Sequence, residues 1–298
     1  GYTMVYGVLG LINFAHGEVL MIGALTAFSA MTAMLGVNPD LPGWLLLVVG
    51  ILAAVPVCMA VSWTMERVAY RPLRGAPRLA PLITAIGISI TLQTVAMIIW
   101  GRSYHIFPET LPIEPIELLA FAPDAQYDYA REVTITPIQV VIVLGSAFLM
   151  LALTYLINKT KLGLAMRATA ENPDIASLMG INPNKVIGAT FVIGAALAGV
   201  AGVMVAANYA IAHFYMGFLP GLKAFTAAVV GGIGNLYGAM LGGLLLGIIE
   251  ALGAGYLGQL TGGVLGSNYQ DIFAFAVLIL VLTLRPSGLL GEKVSDRA

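Results

Sequence analysis

Five polar residues stand where the chain is otherwise apolar, and their types limit the chemistry available to it. His16 and Glu18 flank Gly17, Asn13 lies three residues earlier, Asn235 follows Gly231-Gly232-Ile233-Gly234, and Glu250 sits alone among aliphatic residues. A charge left unpaired inside an apolar span is costly, so Glu18 and Glu250 must be neutral, paired or hydrated. His16 and Glu18 are two residues apart and point to different faces of a regular helix. Gly17 between them suggests local unwinding that would present both to a cavity. Asn13, His16, Glu18, Asn235 and Glu250 are therefore candidate polar groups along a pathway. The competing role is a set of hydrogen bonds that fixes helix breaks. Asn208, Tyr209, His213 and Tyr215 are either further pathway groups or an interfacial belt.

Other chemistries lack their residues. A His-x-Glu pair occurs in zinc deaminases, but the Pro-Cys-x-x-Cys partner is missing. There is no Gly-x-Ser-x-Gly or His-Glu-x-x-His from which to build a hydrolase, and the single cysteine, Cys58, excludes a disulfide framework or a cysteine metal cluster. Cys58 lies in an apolar run and reads as a small packing residue. The stretch nearest to a phosphate-binding loop, Gly217 to Lys223, has the wrong spacing and no following Ser or Thr, so no ATP site is expected in this chain.

The most polar interior segment runs from Lys159 to Lys185. Asn172-Pro173 supplies a helix cap followed by Pro at the first helical position, Asp174 complements the helix dipole, and Gly180 suits a C-terminal cap. The expected result is a helix near Leu164 to Glu171, a short one from Pro173 to Met179, and a restart at Asn182-Pro183. Leu164, Ala168 and Glu171 share one face, while Ile175, Leu178 and Met179 form an exposed apolar patch. Such a segment lies either on the lipid surface or against a partner.

The elements that carry these residues follow from composition. Of 298 residues 59% are hydrophobic and 10% charged, and the net charge is −1; mean hydropathy is +0.92. A soluble domain carries about 25% charged residues, so the class is an all-α polytopic membrane protein of about seven to nine transmembrane or re-entrant helices. The absence of a basic face argues against nucleic acid. Apolar windows run over 19–37, 44–65, 79–100, 136–157, 186–207, 224–249 and 272–284, and none alternates like a barrel strand. Eleven of the 14 Lys and Arg residues fall in three segments: Arg67 to Arg78, Lys159 to Lys185, and Arg285 to the end. The positive-inside rule makes these cytoplasmic, the C-terminus included. The acidic, Pro-rich segment 102–135 is then an external loop, and 158–185 a cytoplasmic segment, of one transmembrane domain spanning 1–298.

Parity requires Gly221 to Gly255 to cross an even number of times, so a turn at 231–235 should divide it into two short or re-entrant helices. Shifting the numbering by 221 places Gly10 on Gly231, Ile12 on Ile233, Gly17 on Gly238, Leu20 on Leu241 and Leu25 on Leu246, a weak internal echo. The chain begins inside an apolar run without an initiator Met, so residues upstream are expected.

The 161–183 segment resembles the coupling-helix region of permease subunits of bacterial branched-chain amino acid ABC transporters. Ile12-Asn13-Phe14-Ala15-His16-Gly17-Glu18, Glu66-Arg67-Val68-Ala69-Tyr70-Arg71-Pro72-Leu73-Arg74, Ile83-Thr84-Ala85-Ile86-Gly87, Phe191 to Ala195, Lys223 to Gly232 and Leu284 to Gly291 resemble that family in order, closest to its LivH-type member. The resemblance implies a permease in the bacterial inner membrane that pairs with a homologous second permease. It would sit on two cytoplasmic ATPase subunits, which hold ATP and Mg, and receive Leu, Ile, Val or a related amino acid from a periplasmic binding protein. Arg167, Glu171, Asn172, Asp174, Leu178 and Gly180 would then couple the permease to the ATPases. It also implies a further apolar helix before Gly1. The alternative is an ion-coupled transporter acting alone, for which Glu18 and Glu250 are the only evident material.

Overall fold

The computed structural model describes residues 1–77, 79–112, 114–121, 131–262, 269–285 and 287–291. The centre of the expected external loop, with Asp124 and Asp128, and the terminal Lys293 and Arg297 lie outside the described residues. Among the described residues eleven α-helices follow in order: α1 Tyr2–Leu9, α2 His16–Val37, α3 Gly43–Met65, α4 Leu79–Trp100, α5 Pro137–Lys159, α6 Lys161–Glu171, α7 Pro173–Leu178, α8 Pro183–Tyr209, α9 Phe218–Gly231, α10 Leu236–Leu260 and α11 Gln270–Leu284. Six helical segments among the described residues, those of α2, α3, α4, α5, α8 and α10, are long and apolar enough to cross a bilayer. The shorter helices α1, α9 and α11 complete a helical membrane fold. The strands are minor: β1 His105–Ile106 pairs with β4 Ile211–Ala212, and β2 Ile116–Phe121 with β3 Arg131–Ile135, both antiparallel.

Small residues determine where helices meet. Between helices in lipid the attraction is mainly close packing, which needs residues that let backbones approach. α2, α3 and α8 meet at such a point. A Cβ on Gly23 would lie 2.9 Å from the Cα of Gly199 and 3.1 Å from the Sγ of Cys58, and one on Gly202 would collide with the carbonyl oxygen of Leu20. Cys58 is buried and donates its S–H to the Val19 carbonyl at 3.3 Å, and Ser62 donates to the Phe191 carbonyl at 3.1 Å. α4 and α5 are mostly exposed along their length.

The break at 232–235 falls within the turn expected from its glycines. Gly232 (φ 107°) and Gly234 (φ 97°) take positive φ, which side chains oppose. Residues 288–291 clamp this turn, because the amides of Leu289 and Leu290 donate to the carbonyls of Val230 and Gly231 at 2.9 and 3.0 Å. Contrary to expectation, only one of the two helices around the turn is short. α9 has 14 residues, whereas α10 has 25, because its Gly and Leu residues continue without a helix-breaking Pro.

The echo at 221 residues has a partial structural counterpart. Both α1–α2 and α9–α10 are helix, break, helix, with breaks at 10–15 and 232–235. Their packing differs, since α9 lies against α10 whereas α1 packs on α8 and α6 instead of on α2.

Candidate functional site

Glu18 is fully buried in the first turn of α2. Its Oε1 accepts hydrogen bonds from Gln93 Nε2 at 2.7 Å and Ser89 Oγ at 3.1 Å, both on α4, while Oε2 has no partner among the described residues. The start of α9 meets it from the other side. A Cβ on Gly217, the N-cap of α9, would stand 2.9 Å from Glu18 Oε2, and one on Gly17 would stand 2.9 Å from the Cα of Gly221. Glycine at 17, 217 and 221 thus lets two helix N-termini converge on one carboxyl group, and the partial positive charge of each favours an anion there.

Beside Glu18 opens a cavity of about 370 Å³. Its polar lining is Glu18, Ser89, Gln93, Tyr2 and Tyr215, and its walls are Phe14, Ile86, Ile90, Phe218 and Leu222. A small amphiphile with one cationic end and an apolar body matches this lining. Depth follows from α8: Gly194, eleven residues beyond Pro183, faces His16. At 1.5 Å per residue that is about 16 Å from the end of the helix, close to the middle of a hydrocarbon core of about 30 Å.

The loop between α8 and α9 supplies the cavity's rim. The Tyr215 amide donates to His213 Nδ1 at 3.1 Å, a bond that requires the unprotonated nitrogen. Burial accordingly lowers the imidazole pKa below its ordinary value. Tyr104 packs edge-on against His213 with ring centroids 4.8 Å apart.

The five candidate pathway residues fall into separate places. The backbone break lies at 10–15, one turn before Gly17, and Gly17 itself is helical. Glycine at 17 serves close packing on α9, so the unwinding that His-Gly-Glu suggests is displaced, and His16 and Glu18 do face different sides. His16 is buried against Tyr2, with ring centroids 4.9 Å apart. Asn13 fixes the break: its Oδ1 accepts from Tyr70 Oη at 2.7 Å and from the Ala15 amide at 3.1 Å. Asn235 caps α10 through the Gly238 amide at 3.0 Å and donates to the Leu290 carbonyl at 2.9 Å. Glu250 belongs to another cluster, in which Lys223 of α9 reaches Glu250 Oε2 at 3.1 Å and Asp271 Oδ1 at 2.7 Å. The acids offered for ion coupling are thus held by different helices. Ser89, Gln93 and Asp271 were not foreseen; the only sequence signal for the first two was their polarity in the apolar window 79–100.

Lys223→Met is expected to lower the melting temperature of the detergent-purified protein by about 5 °C, because two carboxylates lose their cation. Adding Glu250→Gln and Asp271→Asn should restore it. An unchanged melting temperature in the single variant would remove the cluster from the stability of α9–α11.

At the end of the bundle where α8 begins, Asn172 Oδ1 caps α7 by accepting from the amides of Asp174 and Ile175, both at 3.0 Å. Gly180 has φ 83°, and Asn182 caps α8 through the Lys185 amide at 3.2 Å. Arg167 donates to the Ile157 carbonyl at the end of α5, so it ties α6 to the preceding span. Glu171 and Asp174 are exposed. Leu178 is 86% and Met179 79% exposed, with Ile175 and Leu164 also open, so α6–α7 present an apolar knob beyond the spans.

A polytopic helical bundle with a buried mid-depth carboxyl, an adjoining amphiphilic cavity and a knob outside the spans is built as a membrane permease. The family described as "Branched-chain amino acid transport system / permease component" matches residues 1–282. The chain is 45% identical to the high-affinity branched-chain amino acid transport system permease protein LivH of Escherichia coli (strain K12), over 98% of this chain and 89% of that one. It is 47% identical to BraD of Pseudomonas aeruginosa, over 98% and 90%. It is 27% identical to the D-allose transport system permease protein AlsC of Escherichia coli, over 78% and 66%. No solved structure matches. The chain belongs to the branched-chain amino acid transport permease family, and the reading as an ABC transporter permease is favoured over an ion-coupled carrier.

Proposed function

We propose that this chain is the permease subunit of an importer for Leu, Ile, Val or other hydrophobic amino acids in a bacterial inner membrane, with its C-terminus in the cytoplasm. The observation that carries the substrate reading is the Oε2 of buried Glu18, without a partner among the described residues, beside a largely apolar cavity. The carboxylate receives the substrate ammonium, Ser89 and Gln93 orient it, and Phe14, Ile86, Ile90 and Phe218 accept the side chain. His16, Asn13 and Asn235 shape the breaks that frame this route, and the Lys223–Glu250 pair holds α9 and α10 together beside it.

Work comes from outside the chain. Of two cytoplasmic ATPase subunits, which hold ATP and Mg, one docks on the α6–α7 knob, with Leu178 as the central contact. Arg167, Glu171, Asn172, Asp174 and Gly180 set the knob's shape and charge. A homologous second permease completes the route, and a periplasmic binding protein delivers substrate at the opposite face, where β1, β2 and β3 lie. Affinity purification of the tagged chain from its host in mild detergent tests the assembly. Two ATPases and a second permease should co-purify; a homo-oligomer free of ATPases that takes up substrate on an ion gradient would overturn the proposal.

A further inference from the structure

A second cavity, of about 480 Å³, lies where α3 gives way to a wider turn at Glu66–Tyr70 and a tight one at Arg71–Leu73, beside the start of α8. Its charge is unbalanced. Glu66 is buried and already neutralised by Arg74, which also donates to Asn184. Arg67, Arg71 and Lys185 line the same cavity, are exposed, and have no carboxylate partner among the described residues. The N-terminus of the 27-residue α8 faces the same space and adds its partial positive charge.

The walls differ from those of a water-filled anion site. Trp63, one turn along α3, is 47% exposed, and the Arg67 guanidinium lies 5.1 Å from its ring centroid. This arrangement suits the boundary between headgroups and hydrocarbon, where an indole and a cation are both at home. Gly188, Ala189 and Val192 continue the lining along α8 toward the membrane interior. Ala189 and Val192 give this end of the cavity an apolar wall against which an acyl chain can lie.

We propose that this cavity binds the phosphate of an anionic phospholipid, with Arg67, Arg71 and Lys185 around the phosphodiester and Trp63, Ala189 and Val192 against the glycerol and first acyl carbons. A soluble phosphate ester offers the same charge but nothing for the apolar wall, which is why the lipid is the assigned source. The site rests on the membrane span of α3 and α8 and is independent of the transported substrate.

Native mass spectrometry of the assembled transporter, released from vesicles of equal parts phosphatidylethanolamine and phosphatidylglycerol, tests it. The wild type should retain phosphatidylglycerol preferentially. Arg67→Gln, Arg71→Gln and Lys185→Gln should each reduce that preference about fivefold, the effect of one cation near an anionic surface. Trp63→Ala should weaken lipid retention with all charges in place. Inorganic phosphate at equal concentration should not displace the lipid. Equal retention of the two lipids by wild type, or an unchanged preference in the triple Gln variant, overturns the proposal. So does displacement by inorganic phosphate, which marks a soluble-anion site. Loss of the ATPase subunits from the triple variant with lipid retention intact would assign the cations to protein docking instead.

Discussion

Glu18→Gln is expected to lower ATP-driven uptake about 10- to 100-fold in proteoliposomes containing the whole transporter, while the subunits still assemble. The physical case rests on what Gln retains. It has nearly the volume of Glu and keeps an oxygen for the bonds from Gln93 and Ser89, so the contact between α2 and α4 survives. The charge beside the cavity is lost, and a hydrogen bond to a charged group contributes about 1.5–3 kcal/mol. The loss should appear with leucine uptake while ATP hydrolysis stimulated by the binding protein persists, since α6 and α7, the proposed ATPase contact, lie at the bundle end. Glu18→Asp, which keeps the charge one methylene short, should recover part of the rate. Wild-type uptake by an assembled Gln variant would reduce Glu18 to a structural tie between α2 and α4.

Leu178→Asp combined with Met179→Asp should abolish both transport and binding-protein-stimulated ATP hydrolysis, without loss of membrane insertion. Both side chains are almost wholly exposed, so their replacement costs the permease itself little. Burying each against a partner is worth about 1.5–3 kcal/mol, and putting carboxylates there adds a desolvation penalty. Together these weaken ATPase association more than 100-fold, as read by the amount of ATPase that co-purifies. Arg167 is a poorer probe, because its bond to the Ile157 carbonyl ties α6 to α5 and its loss disturbs the junction as well as the surface. Normal co-purification and stimulation in the double variant would place the ATPase contact elsewhere.

Much of the membrane architecture was legible in the chain because its signals are local. Lipid requires a backbone to satisfy its own hydrogen bonds, so apolar windows such as 79–100 became helices with those ends. Asn172-Pro173 and Asn182-Pro183 placed α7 and α8 because an Asn cap followed by Pro acts within a single turn. Gly231 to Asn235 marked the turn before α10 for the same reason, since positive φ belongs to the residue that adopts it. The exposed Ile175–Leu178–Met179 patch was readable too, as three apolar residues on and just after a helix of six residues that starts at the polar Asn172 cap.

What tertiary structure decided was which polar groups meet. Glu18 and Glu250 looked alike as lone acids in apolar surroundings. Only packing gave Glu250 the Lys223 cation, 27 residues away in sequence, and Glu18 two partners from α4 more than 70 residues away. His-Gly-Glu suggested unwinding at Gly17, but the glycine there makes room for Gly217 and Gly221 of α9, a requirement visible only from the other helix. The echo at 221 residues likewise predicted neither that α9 would fold against α10 nor that α1 would pack on α8. Sequence by itself determined most of the long apolar helices, the Asn caps and the turn at 231–235, because those depend on backbone hydrogen bonds and polarity within a few residues; the break at 10–15 and the full length of α10 emerged only in the structure. Tertiary structure decided the cavity and the partners of every buried charge, because both depend on contacts between helices far apart in the chain.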